Sequence, residues 1–124
     1  VTPLVRAVDE KDLGTIARET KSLAKRAREG LLTPAEYSGA TFTISNLGMY
    51  GVESLYAIVN PPQSSILGVG AALERPVAAD HEVRIGTVMA CTLSADHRAV
   101  DGVVGAELLA VLKSYIEQPG LMLV

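Results

Sequence analysis

Residues 83–93 form a long apolar, β-branched run, and residues 102–117 carry an apolar helical pattern. A strand that feeds almost directly into a helix restricts the chain to folds in which both kinds of element share a core. The break between them reads Ser94-Ala95-Asp96-His97-Arg98-Ala99-Val100-Asp101-Gly102 and sets one of two histidines beside two aspartates. An imidazole at such a junction is well placed to act as a general base.

The rest of the chain fits an α/β reading. From Asp12 to Glu29 the apolar positions Leu13, Ile16, Ala17, Leu23, Ala24 and Ala27 fall on one helical face. Acidic residues open this helix. Lys25, Arg26 and Arg28 close it before Gly30, as the helix dipole favours, and the same basic cluster also suits an anion. Thr33-Pro34-Ala35-Glu36 has capping-box spacing and predicts a one-turn helix. Pro3–Val8 and Thr41–Ser45 read as strands. Residues 46–51 read as a glycine-bracketed loop, and the apolar residues 54–59 stop at Asn60-Pro61-Pro62. Ser65–Leu73 reads as a strand in which Gly68 and Gly70 suggest a bulge or a close backbone approach. Residues 79–82 make a turn, with 83–93 as the hairpin partner of the preceding strand. On the second helix Val104, Leu108, Leu109, Leu112 and Ile116 are expected inward, and Asp101 occupies the N-cap position. Residues 118–120 end that helix.

Composition narrows the function. With 124 residues, 48% hydrophobic and 20% charged, the chain can build one ordinary core and is not a disordered segment. A net charge of −3 argues against nucleic acid as a main partner. No apolar run approaches the ~18–20 residues of a membrane span. The opening residues VTPLVRAVDE read as structure rather than a targeting signal, and the missing initial Met suggests part of a larger domain. Cys91, the single cysteine, reads as a small buried hydrophobe in a reducing compartment.

Spacing alone leaves the candidate chemistry open. Asp101 is four residues beyond His97; the two suit a cap and a surface histidine as well as a catalytic pair. Ser45 ends a strand, as a capping residue or as a hydroxyl donor to an oxyanion. His81, Asp96, His97 and Asp101 match no zinc motif. A Ser–His–Asp hydrolase lacks its Gly-x-Ser-x-Gly elbow.

Three longer segments carry a resemblance that bears on these alternatives. TFTISNLGMYG at 41–51, IVNPPQSSILGVGA at 58–71 and LSADHRAVDGVVGAELL at 93–109 resemble the catalytic domain of the dihydrolipoamide acyltransferases, the core enzymes of 2-oxoacid dehydrogenase complexes. KRAREGLLTPAEYSG at 25–39 is similar as well. The resemblance covers nearly the whole chain as the C-terminal portion of one catalytic domain, residues 1–124, and is nearest the pyruvate, acetyl-transferring branch. It implies a mixed β-sheet with helices packed on it, the coenzyme A-dependent, chloramphenicol acetyltransferase-like fold. It implies that His97 is the general base, that Asp101 supports the site's geometry, and that Ser45 stabilises the tetrahedral oxyanion. The implied substrates are coenzyme A and a lipoyl group on a swinging domain, with no metal. The implied partners are a homotrimer, in which His97 meets a neighbour's serine, a larger cubic or dodecahedral core, lipoyl domains and dehydrogenase subunits. The implied setting is bacterial cytoplasm or the mitochondrial matrix. The resemblance also implies that part of the coenzyme A site lies in an N-terminal half outside this chain. A non-catalytic scaffold is the alternative.

Overall fold

Asp12 ends one segment and starts the next. In the computed structural model, which describes residues 1–123, its carboxylate accepts the Thr15 N–H at 2.7 Å. That bond caps α1 (Leu13–Arg28). Hydrogen bonds from Thr15 hold the Asp12 carboxyl below the usual carboxylate range. Leu23 is buried and Ile16, Ala24 and Ala27 are half-buried, whereas Leu13 and Ala17 are exposed. At the other end Gly30 adopts φ 72°. The Leu31 N–H reaches Arg26 O at 2.9 Å and the Gly30 N–H reaches Ala27 O at 3.2 Å. This left-handed cap satisfies carbonyls that the helix leaves open.

The chain divides into two compact units: residues 1–40 with the chain from Leu108 onward, and Thr41–Glu107. In the first, Pro34–Glu36 forms the expected helical turn. Glu36 accepts the Thr33 N–H at 2.9 Å and pairs with Arg26 at 2.6 Å. The Arg26 bond, then Thr33, lowers the Glu36 pKa, while Glu36 raises that of Arg26. The basic end of α1 is therefore tied to a carboxylate through one of its three cations. The strand expected at Pro3–Val8 does not form. Residues 1–7 have no regular structure and Val8–Glu10 is a 3-10 turn. Leu4 N–H donates to Glu36 O at 2.8 Å, and Arg6 donates to the carbonyls of Ala35 and Ser38. Those partners are carbonyls of the 33–38 turn rather than a strand edge, so no ladder can grow.

The second unit holds a three-stranded mixed sheet. β1 (Phe42–Asn46) runs parallel to the central β2 (Ser65–Val69), and β5 (Cys91–Ala95) pairs antiparallel on its other side. β3 (Leu73–Ala79) and β4 (Glu82–Val88) form a separate hairpin. Its two-residue turn places Asp80 and His81 at φ 52° and 64°, the left-handed pair that such tight hairpins require. Two strand assignments change accordingly. The run 83–93 is two strands, and 65–73 ends at Val69. β4 pairs with β3, whereas β5 pairs with β2. The residues at the break, Val88-Met89-Ala90, carry no turn signal, so the division is decided by the two separate pairings.

Gly70 shows why β2 stops. A Cβ at this position would lie 1.9 Å from Glu53 O, and one at Gly48 would lie 2.6 Å from Gly70 O. The 47–53 loop therefore lies backbone to backbone on residues 70–71, with Ala71 N–H donating to Val52 O at 2.7 Å. The close backbone approach offered for Gly70 is present. Residues 54–59 are not a strand, although half-buried and exposed residues alternate along them. Leu55 crosses directly over Gly68, where a Cβ would meet it at 2.9 Å.

α2 (Gly102–Glu117) forms where the periodicity placed it. Leu109 and Leu112 are half-buried, but Val104, Leu108 and Ile116 are exposed, contrary to expectation. Cys91 is half-buried rather than buried. Pro119–Leu123 forms a 3-10 segment. Among the described residues only Leu23, Ile66 and Leu67 are buried apolar side chains. The chain exposes 9266 Å², whereas two independently compact bodies of these sizes would expose only about 7,700 Å².

Candidate active site

Asp96 builds the turn between β5 and α2. Its N–H donates to Ser64 O at 2.8 Å, which extends the β2–β5 ladder by one step. Its carbonyl accepts the N–H groups of Ala99 and Val100, both at 2.9 Å. Its Oδ1 accepts the Arg98 N–H at 3.0 Å, and its carboxylate is held in a fork by Arg98 Nε and Nη2, the latter at 2.7 Å. The Arg98 side-chain bonds, reinforced by its backbone N–H, lower the Asp96 pKa to about 2. The carboxyl is therefore ionised throughout the neutral range.

Asp101 has a different task. Its Oδ1 accepts the Val104 N–H at 2.9 Å and its carbonyl accepts the Gly105 N–H at 3.1 Å, so it is the N-cap that the spacing predicted. His97 sits between these two aspartates, exposed, and makes no hydrogen bond among the described residues. The sequence set two carboxylates beside the imidazole; the structure commits one to Arg98 and the other to the helix end. His97 is thus held by its backbone, with both ring nitrogens open to a ligand.

Ser45 is half-buried near the end of β1, on the same strand face as Thr43. Thr43 donates its hydroxyl to Gln63 Oε1, and Leu47 N–H donates to Val69 O at 3.1 Å. Asn46 Oδ1 accepts the Gly48 N–H at 2.9 Å, closing a turn just after the serine. Ser45 is therefore fixed by its neighbours on both sides.

The register keeps the two candidate groups apart. Ser45 lies opposite Gly68, which lies opposite Thr92, while Ala95 lies opposite Ser65 and Phe42. The end of β5 that leads to His97 is thus three residues from Ser45 along the sheet and two strands away. At strand spacings this is about 14 Å, and the ladder bond from Asp96 to Ser64 carries the turn further off. The chain brings His97 and Asp101 to one turn and does not bring Ser45 to it. His81 lies in the β3–β4 turn, outside this group. Among the described residues no group of three His, Cys, Asp or Glu side chains gathers to hold a metal, and no helix is long and apolar enough to cross a membrane.

Sequence reasoning overlooked Asp96 as an organising residue. The signal was available as Asp-x-Arg around a turn position, but that spacing also suits a solvated pair. The unit of α1 contains a further cavity of about 470 Å³, lined by Leu4, Arg6, Lys11, Arg18, Leu23 and Arg26 among others. Two of its cations are neutralised, Lys11 by Glu19 at 2.7 Å and Arg26 by Glu36.

The structure thus presents an unencumbered imidazole at a strand–helix junction beside a mixed sheet. Residues 1–124 match the model of the 2-oxoacid dehydrogenases acyltransferase catalytic domain, and the chain belongs to that family. It is 53% identical over 124 residues to the dihydrolipoyllysine-residue acetyltransferase component of the pyruvate dehydrogenase complex of Rickettsia felis, covering all of this chain and 30% of that protein. The solved dihydrolipoamide acetyltransferase of Azotobacter vinelandii superposes with a TM-score of 0.91 at 35% identity, covering 98% of this chain and 50% of that one. The cubic core of the pyruvate dehydrogenase multienzyme complex gives 0.91 at 34% identity with the same coverage. The α/β acyltransferase fold expected from the sequence is the fold of these neighbours. The chain spans about a third of the length of such relatives and half of the solved chains.

Proposed function

We propose that this chain is the C-terminal portion of a single acyltransferase catalytic domain that moves an acetyl group between dihydrolipoamide and coenzyme A. The observation that carries the reading is His97: an exposed imidazole, without a hydrogen-bond partner among the described residues, on a turn whose two carboxylates are engaged. A thiol of pKa near ~8.5 is only a few per cent thiolate at neutral pH. His97 takes the proton of the coenzyme A thiol as its sulfur attacks the carbonyl carbon of the acetyl thioester. The carbonyl oxygen becomes an oxyanion, and the Ser45 hydroxyl of a neighbouring subunit donates to it. The intermediate collapses by breaking the bond to the lipoyl sulfur, and the imidazolium returns the proton to that leaving thiolate. No acyl-serine forms, since the substrate thiol is the nucleophile. Asp101 acts through the cap it forms, which fixes where α2 begins after the His97 turn.

The separation of about 14 Å between Ser45 and the end of β5 that leads to His97 favours a site shared between subunits. So do the exposed apolar residues of β1 and α2, among them Ile44, Val104 and Ile116. On this reading the chain works in a trimer within a larger core, served by lipoyl domains and dehydrogenase subunits, in bacterial cytoplasm or the mitochondrial matrix. Coenzyme A and the lipoyl group are substrates, and no metal takes part. The test uses the complete acyltransferase. His97→Ala is expected to lower transfer by about 10²–10⁴-fold. Activity within a few-fold of the parent would end the assignment. Ser45→Ala is expected to lower kcat by roughly 10²–10³ with little change in KM; a defect confined to KM would exclude the oxyanion role. A non-catalytic scaffold would assemble fully and show no transfer even with both residues intact.

A further inference from the structure

We propose that Asp96 is a positioning residue for His97: it holds the turn that presents the imidazole while making no contact with the reacting atoms. This rests on the reading of His97 as the base. Asp96 uses every polar group it has. Its N–H anchors the turn to Ser64 O on the central-strand side, its carbonyl takes two N–H groups from Ala99 and Val100, and its carboxylate closes over His97 to reach Arg98. The residue it encloses makes none of these bonds. The backbone on both sides of His97 is therefore set by one neighbour, and the imidazole spends no hydrogen-bonding capacity on its own placement.

The parts of this arrangement differ in weight. Arg98 is 91% exposed against 29% for Asp96, so the guanidinium pair is solvent-screened and contributes modestly. The bond from the Arg98 N–H to Oδ1 survives any change of the Arg98 side chain, and an Asn at 96 can still accept it. A base displaced by about 1 Å loses on the order of 10–100-fold in rate, without any change in the groups that bind substrate. Asp96→Ala should therefore lower kcat by that factor and leave KM unchanged. Asp96→Asn should recover to within about 3-fold of the parent, because the Oδ1 acceptor remains.

The experiment measures kcat and KM for acetyl transfer in the complete acyltransferase, with His97→Ala in parallel and assembly size checked by light scattering. Loss of kcat in Asp96→Ala with recovery in Asp96→Asn supports the inference. Full activity in Asp96→Ala beside an inactive His97→Ala overturns it and leaves the catalytic reading standing. Full activity in His97→Ala overturns both. An Asn variant as poor as the Ala variant also overturns it, since charge and not turn geometry would then matter. Should Asp96→Ala fail to assemble, Asp96→Glu decides, since it keeps the charge and moves the acceptor away from the Arg98 N–H. A kcat loss of about 10-fold or more at constant KM supports the inference, and an unchanged kcat rejects it.

Discussion

If each active site takes His97 from one subunit and Ser45 from the next, two inactive variants should restore each other. The perturbation is a mixture of His97→Ala and Ser45→Ala subunits of the complete acyltransferase, co-expressed in equal amounts. In the structure Ser45 lies three ladder steps and two strand spacings, about 14 Å, from Ala95, the end of β5 that leads to His97, whereas a shared reacting centre needs both groups within about 3 Å of it. A serine supplied by another copy would meet the histidine without spanning that distance. In a closed ring each site draws its histidine from one subunit and its serine from the adjacent one. With random mixing, half the histidine donors carry an intact His97 and half the serine donors an intact Ser45. About a quarter of the sites are then whole. That level stands well above the residual ~10⁻²–10⁻⁴ expected of either variant alone. The assay is acetyl transfer from acetyl-coenzyme A to dihydrolipoamide, on assemblies carrying a different affinity tag on each variant and purified through both. Doubly tagged assemblies with no activity above the single variants would refute the shared site, and with it the use made of the strand register.

Three further outcomes follow from the packing and the charges. Gly70→Ala would force a Cβ to 1.9 Å from Glu53 O and should cost ~3 kcal/mol or more. Gly51→Ala, at φ 79° with open space around it, should cost only about 1 kcal/mol; thermal unfolding of the two variants separates these cases. Asp12→Ala removes the α1 cap and should lower the denaturant midpoint. Asp96 has its pKa lowered from 3.8 to about 2 in the folded chain. The folded state therefore favours the ionised carboxylate, its contribution is complete above pH 3.8 and it is lost as pH falls through about 2. Acid unfolding of Asp96→Asn should show a shallower loss of stability across that window, and an unchanged slope would contradict the clamp.

How far the sequence could be read differs from element to element. The helices were legible because an amphipathic period and its caps are local: Asp12, Gly30 and Asp101 each act within a few residues of themselves. β1 and the Asp80-His81 turn were legible for the same reason. The division of 83–93 into β4 and β5 was not, since both halves are equally β-prone and only their partners differ. The expected strand at Pro3–Val8 failed because the Leu4 N–H and the Arg6 side chain meet turn carbonyls rather than a strand edge. Val104, Leu108 and Ile116 were read correctly as an apolar stripe but remain exposed here, because a stripe records that a partner surface is needed and not where that surface lies.

Resemblance across three separated segments was enough to reach His97, Asp101 and Ser45 and to assign each a proposed chemical role. The tertiary structure decided their relation. It committed the carboxylates of Asp96 and Asp101 to a turn and a helix end, left the His97 ring free, and set Ser45 at the far corner of the sheet. Residue chemistry is local and survives in a string of letters. Distance across a sheet depends on the register of strands that pair over long separations, and no local pattern carries it.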